Sequence, residues 1–383
     1  MQPPSNPPSP SGQSLGDSRP VPRPAARRPQ RPAGGTSAAQ SAPAGTDQLG
    51  GRGSVGHHGR ADRASTNPSG GGAERGGKTH TAPVVSFKPD APLLLLAAAW
   101  LAVTGGLYYF FVRTAWGQAL DALVMHDAAS IPFLTTIGRI LNESALEALI
   151  LAMAVAAVLG MLRRRPWLAL GCVAGAAGAM VLTQLAKRYL LTRPDLGVGW
   201  VLPNSFPSGH GTATAVICLV ALVSAPRAWR RHVVPVALAL PLLNGGAMMA
   251  MGWHRAADVL GAVSVSAFAL LVSLALVRGL RLRRLAALRA EPGGVAEPGP
   301  QLRRLERHLW IAAAGSVPVA GLALWVTRGF WAKNSADFLR GDLSAASLGG
   351  GDVAAAVMVL SLYAAVSCAA VASTLLAARR LGA

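Results

Sequence analysis

Three short polar stretches decide how this chain is read: KRYLLTRP from Lys187 to Pro194, PSGHG from Pro207 to Gly211, and HRAAD from His254 to Asp258. Each interrupts an otherwise apolar run. An ionisable side chain in such surroundings costs roughly 2.5 to 3.5 kcal/mol on insertion scales, so each stretch calls for a functional reason. Three within one region call for a shared one.

Outward from that region, the chain has 383 residues, 51% hydrophobic and only 14% charged, with a mean hydropathy of +0.38. This excludes a soluble domain pair and indicates an all-α, polytopic helical membrane protein. A formal charge of +19 would suggest nucleic acid if the basic residues formed one patch. They are spread over an N-terminal arm and short loops, so nucleic acid is not the expected partner. Cys172, Cys218 and Cys368 each lie alone in an apolar run, which argues for packing residues and against a disulfide framework or a cysteine metal site.

Residues 1–90 are rich in Pro, Ser, Gly, Ala and Arg and carry no sustained apolar periodicity. They cannot bury enough surface to offset chain entropy, so a disordered basic cytoplasmic arm is expected. No apolar core that would mark a secretory signal peptide follows the N-terminus directly. From Leu93 onward, runs long enough to cross a ~30 Å hydrocarbon core recur. Eight spans are expected, near 93–112, 145–162, 167–186, 211–225, 233–252, 257–277, 309–327 and 353–376. The fourth is short and is expected to gain a turn through Ala228 or Trp229.

Threading the eight spans alternately puts Arg163 to Arg165, Arg227, Arg230, Arg231, Arg278 to Arg289 and Arg379-Arg380 on one side. The positive-inside bias makes that side the cytoplasm. All three polar stretches then emerge together on the extracytoplasmic face. The expected division is the arm at 1–90, a six-span core at 91–278, a basic cytoplasmic linker at 279–308 and two further spans at 309–383. Glu143 and Glu147 read as first-turn acids of a helix capped by Asn142, and His126-Asp127 as a solvated loop pair.

The polar stretches share a chemistry. A helix starting after Pro207-Ser208-Gly209-His210 would present unpaired amides and a partial positive charge to an anion, with Gly209 permitting close approach and the Ser208 hydroxyl adding a donor. His210 would stand ready to protonate a leaving oxygen. Alone, the tetrapeptide is an ordinary loop-to-helix cap. His254 and Asp258, four apart, fit one face of a helix beginning after Gly252, the carboxylate fixing the imidazole tautomer for nucleophilic attack. A helix-end histidine with a first-turn acid fits equally well. Lys187 and Arg193, at the outer end of the third span where Pro194 stops the helix, could neutralise phosphoryl oxygens or snorkel to headgroups.

Lys187, Arg193-Pro194, Pro207 to His210 and His254 with Asp258 together resemble the three signatures of the type 2 phosphatidic acid phosphatase superfamily, which also contains the vanadium haloperoxidases. The resemblance covers residues 93–277. It implies metal-independent removal of a phosphate or pyrophosphate from a membrane lipid, polyprenyl or phosphatidate-like, with no cofactor and no metal. On that template His254 is the nucleophile and forms a phosphohistidine, Asp258 orients it, and His210 is the general acid. Lys187, Arg193, Ser208 and the Gly209 amide hold the phosphate. Two positions depart from the pattern. Five residues separate Lys187 from Arg193 where the family usually has six, and Ala247-Met248 stand where the third signature begins Ser-Arg. One phosphate-binding arginine is thus replaced, leaving Arg255 or Lys187 to compensate. The alternative is a lipid-phosphate-binding or scaffold protein that has lost turnover.

Overall fold

The structure is a computed structural model that describes residues 87–382, apart from 130, 144, 199–202, 289–298 and 340–350. The arm expected over 1–90 therefore lies outside the described residues as far as residue 86. Every regular element among the described residues is a helix.

The first helix, α1 (Ala91–Leu107), starts where Asp90 accepts the Leu93 amide through its carboxylate at 3.3 Å, with Pro92 in the first turn. It continues into a π-helical turn, Tyr108–Val112. Two helices, α2 (Ala115–Ala129) and α3 (Pro132–Glu143), occupy the stretch expected as an outer loop, and His126-Asp127 lies in α2. A search for long apolar runs misses both. The first is short and carries Gln118, Asp121, His126 and Asp127; the second is amphipathic, burying Leu134, Gly138 and Asn142 at i, i+4, i+8.

Then follow α4 (Ala145–Leu162), α5 (Pro166–Leu185) with a second π-helical turn at Ala186–Leu190, α6 (Gly209–Ser224) and α7 (Arg230–Ala250). The remaining helices are α8 (Ala256–Ala287), α9 (Pro300–Leu339) and α10 (Gly351–Arg380). Helix thus occupies all eight expected positions, but the expected count of spans is corrected. Among the described residues, six helices are long and apolar enough to cross a membrane, or seven if the bent pair α3 and α4 is one span. The shortfall at α6 has a physical cause. Its 16 residues rise only ~24 Å, and it does not lengthen through Ala228 or Trp229, because Ala225 turns extended before Pro226. A short helix is tolerable there since α4, α5, α7, α8 and α10 surround it, so its ends meet protein and not hydrocarbon.

The core centres on α8, whose apolar stretch is 78% buried against 22% for α1. Helix α5 reaches it closely through Gly171 and Gly175, one turn apart; a Cβ on either would lie 2.8 to 2.9 Å from the side chains of Leu274 and Leu270. This is the small-residue packing that membrane helices use in place of a hydrophobic drive. The two C-terminal helices are integral to the bundle, since α10 packs on α8 and α6. Asp90 pairs with Arg278 of α8 and, at 3.3 Å, with Arg380 of α10, tying α1, α8 and α10 together. The basic linker expected at 279–308 is helical on both flanks, because α8 runs to Ala287 and α9 begins at Pro300.

Candidate active site

The three polar stretches meet at one end of the bundle, where α5 and α7 end and α6 and α8 begin. Ser208 is the N-cap of α6: its hydroxyl accepts the Gly211 amide at 3.0 Å and donates to the Met248 sulfur at 3.6 Å. Fully buried in this role, it organises the helix start and leaves anion donation to the first amides, Gly209 and His210, which have no intrahelical acceptor. A Cβ on Gly209 would meet nothing nearer than the Gln184 amide nitrogen at 3.5 Å, so the approach to those amides is open. His210 is half-buried and its ring centroid lies 6.3 Å from that of His254.

One local expectation is corrected. His254 is not on a helix, because α8 starts two residues later at Ala256, with Arg255 as its N-cap. Gly252 at φ +72° turns the chain out of α7, and the Met248 carbonyl accepts the Trp253 amide at 3.0 Å. Asp258 instead occupies the first turn of α8 and reaches back. Its Oδ2 accepts from the Ser205 hydroxyl at 2.6 Å and the Arg255 amide at 2.9 Å, and faces His254 Nδ1 at 3.3 Å. The pairing expected from helix periodicity therefore exists through a cap geometry, and it fixes Nδ1 as the nitrogen engaged by the carboxylate, leaving Nε2 for chemistry.

Arg193 lies beyond the helix end at Leu190, in extended chain held from three sides. Asn204 Nδ2 donates to the Leu191 carbonyl, the Tyr108 hydroxyl donates to the Thr192 carbonyl at 2.7 Å, and Gln118 Nε2 donates to the Pro194 carbonyl at 3.0 Å. The guanidinium is 4% exposed and sits 3.8 Å from Asp258 Oδ1 and 3.9 Å from Asp121 Oδ2. Its Nε and both Nη atoms have no hydrogen-bond partner among the described residues. Buried guanidinium donors left in this state are costly, and an oxyanion would satisfy them. Lys187, half-buried in the second π-helical turn, interacts electrostatically with both Asp258 and His210. All seven residues singled out from the sequence thus belong to one neighbourhood.

Asp121 and Ser205 complete the site and were not singled out. A lone acid within the apolar Ala119 to Met125 run was the available signal for Asp121; Ser205 offered none. Asp121 is fully buried, and its Oδ1 accepts the Ala257 amide at 3.0 Å, locking the start of α8. Burial first, and the neighbouring Asp258 second, push its carboxyl up from 3.8 to about 7, against the opposing pull of Arg193, the Ala257 amide and Arg255. The neutral acid is thus the form that favours the fold. Its stabilising contribution is complete below the unfolded value near 4, declines as pH rises and is lost above about 7. The thermal midpoint in detergent is expected to fall across that window. Asp121→Asn, which keeps an acceptor for the Ala257 amide, should flatten this part of the curve; an unchanged slope would rule out Asp121 as its source.

Met248, in the place of the family's third-signature arginine, is fully buried beside Ser208. Arg255 is buried at the α8 N-cap, within electrostatic range of Arg193, Asp121 and Asp258, so it adds positive charge behind the carboxylates.

Comparison with the curated proteins and with the solved structures finds no match. A family model described as the PAP2 superfamily does match, over residues 144–281, the segment that holds α4 to α7, most of α8 and all seven site residues in their motif order. Over that segment the chain is similar to the PAP2 superfamily, in agreement with the geometry of the site.

Proposed function

We propose that this protein hydrolyses the phosphate or pyrophosphate group of a membrane lipid on the extracytoplasmic face, through a phosphohistidine. Members of the superfamily act on phosphate esters; the lipid substrate, the covalent intermediate and the side of the membrane are our reading. The observation that carries it is the buried Arg193 with unpartnered donors, set beside a carboxylate-held His254 that faces His210 across 6.3 Å.

In the first step His254 Nε2 attacks phosphorus, the bond from phosphorus to the lipid oxygen breaks, and His210 gives that oxygen its proton. Arg193, Lys187 and the first amides of α6 neutralise the equatorial oxygens as charge spreads over them. Water then attacks the phosphohistidine with His210 as base, releasing inorganic phosphate and restoring both imidazoles. The surroundings suit a lipid headgroup. Tyr109, Tyr189 and Trp253 are 70%, 76% and 48% exposed at this end, forming the kind of aromatic belt that sits at a membrane surface. The arginine-rich helix ends lie at the other, which favours an extracytoplasmic site.

Met248 supports one rival, a binder of lipid phosphates without turnover. Purified protein in detergent with EDTA is expected to release phosphate from polyprenyl or phosphatidate-like lipids and to be inhibited by vanadate. Tight binding of the same lipids with neither release nor vanadate sensitivity would favour the binder.

A further inference from the structure

At the opposite end of α6, ~20 Å from His210 along the 13 residues to Val223, helices α4, α5 and α6 border a half-open cavity of about 500 Å³. That size falls within the ~300 to 1,000 Å³ range of ligand sites. Its walls are of two kinds. Leu159, Leu168 and Val223 make apolar surface, while Arg163, Arg165 and Arg227 also line it. Beside it on α4, Met161 and Leu162 are 61% and 75% exposed, the surface a bilayer would cover.

Two of these arginines are held in place by backbone carbonyls. Arg163 Nη1 donates to the Ser224 carbonyl and Arg165 Nη1 to the Gly382 carbonyl, both at 2.6 Å. Neighbouring Arg230 donates to the carbonyls of Leu222 and Val223 at 3.2 and 3.1 Å. These bonds use one or two of the five donors on each guanidinium and orient the rest. Among the described residues, the charges that act on Arg165 are those of Arg227, Arg163 and Arg281, and those that act on Arg230 are Arg227, Arg165 and Arg163. All are cations. Like charges gathered around a partly apolar cavity repel one another, and a bound anion is the natural relief.

We propose that this cavity is a second anion site, separate from the histidines, that takes the phosphate group of an anionic amphiphile. Arg165 and Arg227 pair with the phosphate oxygens, in the bidentate manner that suits guanidinium, while Leu159 and Leu168 receive the glycerol and the first methylenes. The mixed lining favours a lipid over free phosphate, because a free ion leaves the apolar half unused. The proposal does not depend on the lipid phosphatase reading, since no atom of the histidine site takes part.

The test is a thermal-shift titration of the full-length protein in uncharged detergent with three probes: short-chain phosphatidylglycerol, phosphatidylcholine of equal chain length, and inorganic phosphate. Phosphatidylglycerol is expected to stabilise the wild type at concentrations at least tenfold below those of the other two. In Arg165→Gln/Arg227→Gln its apparent dissociation constant should rise at least tenfold. Because the histidine site is unaltered in that variant, the difference isolates the second cavity. Should the double variant fail to fold, Leu159→Trp fills the cavity without touching charge and should remove the same response. A wild-type response in either folded variant overturns the proposal. Equal protection by inorganic phosphate, lost in the variant, would keep the anion site and overturn the amphiphile.

Discussion

Replacing His254 by alanine is expected to reduce phosphate release by on the order of 10⁴-fold or more, the loss seen when a covalent nucleophile and its step disappear together. The fold should survive. Among the described residues the His254 side chain makes its hydrogen bond to Asp258, and that carboxylate keeps the Ser205 hydroxyl, the Arg255 amide and the nearby Arg193 when the ring is gone. Rapid quench of wild-type protein with a labelled lipid phosphate should trap an acid-labile, base-stable phosphoenzyme, absent from the variant. Turnover within tenfold of wild type in His254→Ala would reject His254 as the nucleophile.

The second large effect is expected at Asp258, where catalysis and folding use the same oxygen. Asp258→Asn retains one acceptor where three groups now converge and turns an amide N–H₂ toward Arg193. The imidazole loses the charge that holds its tautomer and steadies the phosphorylated ring. A comparable carboxylate-to-amide change in a catalytic triad lowers kcat by about 10⁴, so a loss of about 10³ to 10⁴ is expected here. Unlike His254→Ala, this variant should also be less stable, by about 3 to 5 kcal/mol, because a buried ion-pair partner is removed. Phosphate release and denaturation in detergent, measured side by side, separate the two roles. An inactive variant of wild-type stability would mean that Asp258 only orients the histidine.

What could be read from residues alone was chiefly what a local pattern encodes. Apolar runs located α1, α4, α5, α6, α7, α8, α9 and α10, and the polar interruptions located the site. Helices α2 and α3 escaped because they are short or half polar and lie where a loop was expected. Asp121 escaped because its role is tertiary: its partners, Arg193 and Ala257, are 72 and 136 residues away in sequence. The His254 and Asp258 pair shows how a correct contact can be inferred from the wrong element. A spacing of four brings residues together on a helix face, but a first-turn acid reaching back past an N-cap does so as well, and periodicity cannot distinguish them. Ser208 was legible as a helix cap and as a phosphate donor; its contacts with Gly211 and Met248 show the cap.

The π-helical turn at Ala186–Leu190 bears on the short interval between Lys187 and Arg193. Hydrogen bonds from i to i+5 wrap more residues into each revolution, so every step there advances through a smaller angle than in the preceding α5. A lysine displaced by one position along the polymer therefore swings around the helix axis by less than the ~100° that one α-helical step would give.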